Sequence, residues 1–248
     1  MRLIRDLAGM LCFRLPSLQA AAGRRALAIG MVFLAAGFLS YGMVRNAVYA
    51  DLITERLSMP GWEWLSGQAR LHLVPFLSYA ALLYLPVLVC LANALAGDGL
   101  GFSVSVSEYL RHASALLPLW GALFLLAAPI QWFWPEFLVV GPFGVSIGLL
   151  ALSLAWTVHT VWALAGVSRI PILLSVATVV LSLFTLPLFY LLVWLPWWAS
   201  WLATAACAGA GGMWLRRSAR PTAAPNSARR EAVLRRRYLR AESLRDAI

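Results

Sequence analysis

The sequence predicts an all-α, polytopic membrane protein with six transmembrane helices, five being the alternative count. Three observations predict it. The 248 residues are 62% hydrophobic and only 12% charged, against about 45–50% and about 25% in a soluble domain. The apolar residues come in long unbroken runs, which is the pattern of membrane helices and not of the alternating strands of a β-barrel. The charge sits at the two ends. Residues 1–25 hold five arginines against one aspartate, and residues 216–248 hold ten arginines against three acids. The chain thus divides into a basic N-terminal segment (1–25), a helical transmembrane domain (26–215) and an Arg-rich tail (216–248).

In residues 1–25, Leu3, Ile4, Leu7, Met10 and Leu11 recur at helical spacing, with Arg2, Arg5 and Asp6 elsewhere on the wheel. This predicts a short helix lying on the membrane surface, limited by Pro16. No cleavable signal peptide is expected, because the segment is too mixed and no small-x-small site follows the first apolar run. The first span is Ala26–Val44, 19 residues, enough for a hydrocarbon core about 30 Å thick. Residues 45–72 carry Asp51, Glu55, Arg56, Glu63, Arg70 and His72 with Trp62 and Trp64. They predict an amphipathic helix, a break at Pro60-Gly61 and a Trp-anchored interfacial turn.

The second span is Leu73–Leu95. Gly97, Gly99 and Gly101 follow it, and an amphipathic stretch, Ser105–His112, leads into the third span, Ala113–Ile130. Trp132 and Trp134 fall where aromatic rings favour the lipid–water boundary. The fourth span is Phe143–Val167. A tight link at Ser168-Arg169 leads to the fifth, Pro171–Leu195, which a proline opens at no hydrogen-bond cost. Trp197, Trp198 and Trp201 mark another interface, and Trp198–Leu215 is the sixth and shortest span. After a Pro/Ala/Ser linker, the tail predicts a helix over 228–247.

Arginine also sets the orientation. With six spans, seventeen arginines share the side of both termini and three, Arg45, Arg56 and Arg70, lie opposite. The positive-inside rule then places both termini in the cytoplasm. The absence of lysine reads as a GC-rich bacterial coding bias, so the expected location is a bacterial inner membrane. In the tail, Arg229, Arg230, Arg235, Arg236, Arg237 and Arg240 are candidates for contact with anionic lipid headgroups, each contributing about 1 kcal/mol near such a surface. Topology accounts for the basic charge, so nucleic acid is not an expected partner.

Catalytic chemistry finds little support. The chain has no GxSxG, no HExxH, no phosphate loop with lysine and no paired intramembrane carboxylates. The glycines at Gly97–Gly101 follow a hydrophobic span and not a strand, which argues against a dinucleotide site. Asp51, Glu55 and Arg56 read as a solvated charged face. Cys12, Cys90 and Cys207 are too far apart for a metal spacing, and no disulfide, metal or cofactor is expected. His159, in WTVHTVW, is the ionisable residue that falls inside a span. Intramembrane ionisable groups raise the question of a proton or ligand site. The bland reading is a neutral histidine making one hydrogen bond, with Thr157, Thr160 or a backbone carbonyl as partner.

From Gly97 to Pro129 the order of features resembles the Yip-domain family of membrane proteins. A Gly-rich loop ends in Phe102, an amphipathic segment carries Tyr109, an alanine-bearing entry follows, and Pro118 sits one turn inside the next span. A short link at Ser168-Arg169 comes later. The resemblance covers about residues 12–195. The family's N-terminal Asp-Leu-Tyr-Gly-Pro motif has no counterpart here, and its usual five spans differ from six. The resemblance therefore implies a small helical membrane protein without catalytic residues, an adaptor or organiser acting through partners or lipid. The alternatives are a permease subunit or small transporter with His159 in its pathway, and a lipid-modifying enzyme using the 45–72 segment.

Overall fold

A computed structural model describes residues 2–23, 27–56, 69–97, 102, 104–133 and 147–188, with separate residues between 198 and 236; side chains at 45–56, 69–72 and 147–149 are outside this description. The described residues are helical with short turns. The elements are α1 (Arg2–Leu11), α2 (Leu15–Gly23), α3 (Leu27–Arg56), α4 (Ala69–Ser78), a π-helical turn (Tyr79–Tyr84), α5 (Leu85–Leu95), α6 (Val106–Phe133), α7 (Ile147–Ser168) and α8 (Ile172–Ser182), which passes into a 3-10 turn at Leu183–Thr185. Among the described residues, four stretches are long and apolar enough to cross a membrane: Leu27–Val44, Leu73–Leu95, Val106–Phe133 and Leu150–Ser168. The chain is an integral, polytopic membrane protein. The fifth expected span, Pro171–Leu195, is described as far as Leu188, as an apolar helix from Ile172; residues 189–195 lie outside the described residues. Most of the sixth, Trp198–Leu215, lies outside the described residues.

Two elements differ in extent from the sequence reading. Helix α3 does not stop at Val44 but runs on to Arg56, so span and connecting helix are one rod. At 1.5 Å per residue its 30 residues reach about 45 Å, more than a bilayer core. Helix α6 starts at Val106 and absorbs the amphipathic lead-in. The reason is a capping box at Ser105 and Glu108. The Glu108 carboxylate accepts from the Ser105 backbone N–H at 2.8 Å, and the Glu108 N–H donates to Ser105 Oγ at 3.2 Å. Such a cap contributes about 1 kcal/mol.

Contact pairs fix the direction of each helix. Gly30 lies against Leu117 and Pro118, and Gly37 against Gly121, so α3 and α6 run parallel. His112 meets Ser168 and Trp120 meets Thr160, so α6 and α7 are antiparallel. Tyr79 meets Thr185 and Tyr84 meets Ser182, so the α4–α5 span opposes α8. The long helices therefore alternate up and down. The start of α3, the start of α6 and the Ser168-Arg169 link share one end of the bundle.

The π turn has a local cause. Pro86 stands second in α5 and has no N–H to donate. The register widens before it, and the Leu85 N–H reaches the Ala80 carbonyl, five residues back. In that register Pro86 should serve the Ala81 carbonyl and cannot. The Tyr109 hydroxyl of α6 donates to it instead, at 2.9 Å, and Ala81 and Tyr109 are both buried. Tyr109→Phe should therefore strand a buried carbonyl and cost about 1–3 kcal/mol, read as earlier unfolding in a detergent denaturation series. An unchanged midpoint would show that Ala81 finds another donor.

Candidate functional site

The N-terminal segment folds into a helical hairpin. Its first helix ends at Leu11, ahead of Pro16, and Pro16 sits in the first turn of the second, α2, where a missing N–H costs nothing. Asp6, Leu7, Gly9 and Met10 of α1 and Leu18, Ala21 and Ala22 of α2 are buried. They pack on α6 and α7, and Ile4 with Arg2 and Arg5 faces outward. Leu15 and Leu18 close on Gly166 so tightly that a Cβ there would stand 2.6 Å from Leu18 Cδ2.

Helix α1 ends in a Schellman turn. The Arg14 N–H donates to the Gly9 carbonyl at 2.7 Å and the Phe13 N–H to the Met10 carbonyl at 3.1 Å. Phe13 takes the left-handed position, φ 57°, where glycine is usual. The Phe13 ring stacks on His159 at 4.4 Å and 24°, and meets Trp162 edge-on at 5.4 Å. These contacts offset the backbone strain of a bulky residue with positive φ.

His159 is the focus of this corner. Nδ1 lies 2.7 Å from the Ala155 carbonyl oxygen on its own helix, and Nε2 lies 3.1 Å from the Leu11 carbonyl oxygen at the end of α1. Of the partners the sequence offered, the structure uses backbone carbonyls. The two threonines are engaged elsewhere: Thr157 donates to Ser153 at 2.8 Å and Thr160 to Trp156 at 2.6 Å. His159 is nine residues from the end of α7, about 13 Å below it. His112 contrasts with it, because Nδ1 faces the Glu108 carbonyl at 2.7 Å but Nε2 faces the Ser168 hydroxyl at 2.7 Å, which can donate.

A second polar group lies deeper, where the π turn meets α8. Thr185 donates to the Ser182 carbonyl at 2.8 Å, so the Tyr79 hydroxyl donates to Thr185 Oγ1, also at 2.8 Å. Ser182 Oγ donates to the Val179 carbonyl at 2.7 Å and lies 3.1 Å from the Tyr84 hydroxyl. Tyr84, Trp120 and Trp156 form a ring cluster with centroids 5.3–5.6 Å apart. The Trp120 indole donates to Thr160 Oγ1 at 2.9 Å. Gln131 is buried, and its Oε1 has no hydrogen-bond partner among the described residues.

No group of three or more His, Cys, Asp or Glu side chains occurs among the described residues. A cavity under α1, lined by Asp6, Met10, Ser114 and Pro118 among others, encloses about 10 Å³, room for roughly one water. Of the expected lipid-contact arginines, Arg235 and Arg236 are described, both helical and exposed; Arg229, Arg230, Arg237 and Arg240 lie outside the described residues. No protein-family model matches the chain, and neither a curated protein nor a solved structure matches it.

Proposed function

We propose that this protein is a non-enzymatic adaptor or organiser of a bacterial inner membrane, acting through protein partners or lipid. One observation carries the reading. The polar side chains of the bundle at Tyr79, Tyr84, Tyr109, Trp120, His159 and Thr185 each bond to a backbone carbonyl or to a side-chain hydroxyl of a neighbouring residue. They knit helices together, and the described residues bring no metal-ligating cluster to the interior. The Yip-like order of Gly97, Phe102, Tyr109 and Pro118 supports the same class. The test is affinity purification of the intact protein in mild detergent, with mass spectrometry of what comes with it. A stoichiometric protein or an enriched lipid class is the expected result; turnover of an added lipid substrate by the pure protein overturns it.

A small transporter or permease subunit is the second reading. The π turn favours it, because such turns gather at functional sites, and here one abuts the Tyr79, Tyr84, Ser182 and Thr185 group. An ATPase encoded beside this chain would favour this reading over the first.

The proposed orientation has both termini in the cytoplasm, with the Arg tail at the inner surface. Reporter fusions after Arg70 and Glu136 should read periplasmic and a fusion at Ile248 cytoplasmic; a periplasmic C-terminus refutes six spans. A peptide of residues 216–248 should bind anionic vesicles with an affinity that falls as salt rises. Equal binding to neutral vesicles would remove the electrostatic account.

A further inference from the structure

We propose that the outer face of the N-terminal hairpin binds anionic phospholipid, with Arg2 and Arg5 sharing one headgroup phosphate and Arg14 holding a second. The inference rests on the proposed action through lipid, and names a lipid class and a site apart from the tail. It starts from the depth of the hairpin. His112 of α6 meets Ser168, the last residue of α7, at 2.7 Å, and this pair marks the rim of the bundle. Helix α1 packs below it. The cavity under α1 is lined by Ser114 and Pro118 of α6, about 3 and 9 Å further in at the rise of a helix. Phe13 stacks on His159, about 13 Å from the end of α7. These neighbours belong to the apolar stretches Val106–Phe133 and Leu150–Ser168. The hairpin therefore lies beside the outer part of one leaflet. Amphipathic helices rest at that depth, with apolar faces about 5–10 Å into the boundary between headgroups and acyl chains.

The face exposed at that depth is charged. Asp6, Leu7, Gly9 and Met10 turn toward the bundle, and Arg2, Ile4, Arg5 and Ala8 turn away from it. Phe13 and Arg14 are exposed at the turn. Arginine carries a fixed charge, and a charge beside acyl chains is costly without a counter-ion. Two other arginines at this end of the bundle find theirs within the protein: Arg111 and Arg169 are half-buried and engaged with partners. Arg2, Arg5 and Arg14 differ. No hydrogen bond or ion pair reaches their guanidinium groups among the described residues. Asp6, the acid of the hairpin, is buried on the bundle side.

A lipid phosphate is the counter-ion this arrangement fits. Arg2 and Arg5 are three residues apart and so are neighbours on one helix surface. Two guanidinium forks so placed can close on one phosphate. Their long stems let the charged ends rise to the headgroups while the stems stay among acyl chains. Ile4, between them in sequence, is 68% exposed. A free anion would leave that side chain bare, whereas a lipid covers it. Phe13, 44% exposed, gives Arg14 the same apolar neighbour. A net-anionic headgroup is favoured over phosphatidylcholine, because the choline ammonium already balances the phosphate of the latter.

The probe is phosphatidylglycerol with a photoreactive headgroup, added to the full chain in nanodiscs of phosphatidylcholine. Peptide mass spectrometry reads label in residues 2–23 separately from label in the tail. Unlabelled phosphatidylglycerol should displace the hairpin label, and added phosphatidylcholine or inorganic phosphate at the same concentration should not. Arg2→Gln, Arg5→Gln and Arg14→Gln should each weaken phosphatidylglycerol at the hairpin about fivefold, the share of one arginine near an anionic surface. Arg235→Gln with Arg236→Gln, in the tail, should leave the hairpin label unchanged. Competition on the unmodified protein needs no substitution, so it decides the question alone if a variant does not fold. Hairpin label displaced equally by phosphatidylcholine, or by inorganic phosphate, overturns the site. Label confined to the tail also overturns it, and leaves the broader reading of action through lipid standing. Label in the hairpin that follows these arginines supports the site even if the pure protein turns over lipid, the result that would overturn only the non-enzymatic reading.

Discussion

Gly121→Leu is expected to abolish the native bundle. A Cβ at Gly121 would stand 2.7 Å from the Leu34 backbone nitrogen and closer still to the Phe33 carbonyl. A Cβ at Gly37 would stand 3.0 Å from Gly121 Cα and its carbonyl carbon. The obstructing atoms are backbone, so no rotamer change can make room, and α3 must move off α6. That pair is the most extensive helix contact among the described residues, and it also carries the Phe38, Phe76 and Phe124 ring cluster across to α4. Close approach through small residues is how helices gain packing in lipid, where no hydrophobic force drives them together. Overpacking alone costs about 1–3 kcal/mol in a soluble core, and a leucine against backbone belongs at or above the upper end. Gly121→Leu should emerge aggregated from gel filtration, and Gly37→Ala should unfold early in detergent. Gly23→Ala is the control, since nothing among the described residues lies within 4 Å of its Cβ. Its effect should stay within about 0.5 kcal/mol. A monodisperse Gly121→Leu protein of normal stability would show that α3 and α6 do not pack through these glycines.

Much of this fold was legible because hydropathy encodes helices directly in lipid. From Leu27 on, the apolar runs at 26–44, 73–95 and 113–130 fall on α3, on the helical stretch from α4 through the π turn to α5, and on α6. Boundaries were less legible where two signals overlap. Ser105 and Glu108 have the spacing of a capping box, yet the polar stretch around them reads equally well as a surface lead-in. Only the two reciprocal hydrogen bonds show that the helix begins there. The π turn left a readable trace in Pro86, but a proline in a span can kink, start or widen a helix. What decides is the Leu85 bond to Ala80. At the candidate site, sequence supplied His159 and left its partner open between two threonines and a backbone carbonyl. It could not supply Leu11, 148 positions away, since no periodicity relates the end of a short N-terminal helix to the middle of a later span. Pro16 shows the same limit: the first helix does end before it, at Leu11, but the second helix, which it opens, was not legible. Its effect depends on whether a helix follows it, and α2 is too short and too mildly amphipathic to announce itself.

Trp120→Ala should carry the second-largest cost, and comparison with Trp120→Phe separates its causes. Trp120 is among the largest fully buried side chains. It joins α6 to the π turn through Tyr84, at 5.6 Å between ring centroids, and to α7 through Trp156, at 5.5 Å. Its indole N–H also donates to Thr160 at 2.9 Å. Thr160 keeps its own bond to the Trp156 carbonyl without it, so losing the indole leaves no stranded donor on α7. The hydrogen bond should therefore contribute little, about 0.6 kcal/mol by the average for interhelical bonds in lipid. Packing should contribute far more. Replacing a buried tryptophan by alanine costs about 3–5 kcal/mol in a soluble core, and lipid as the reference medium puts this site at about the lower limit. Trp120→Phe, which keeps a ring between Tyr84 and Trp156, should then lose only about 1 kcal/mol. Unfolding curves in matched detergent will read both values. If phenylalanine proves as costly as alanine, the bond to Thr160 and not the ring cluster joins these three spans, and the intramembrane polar groups would have to be reread as the main fastening of the bundle.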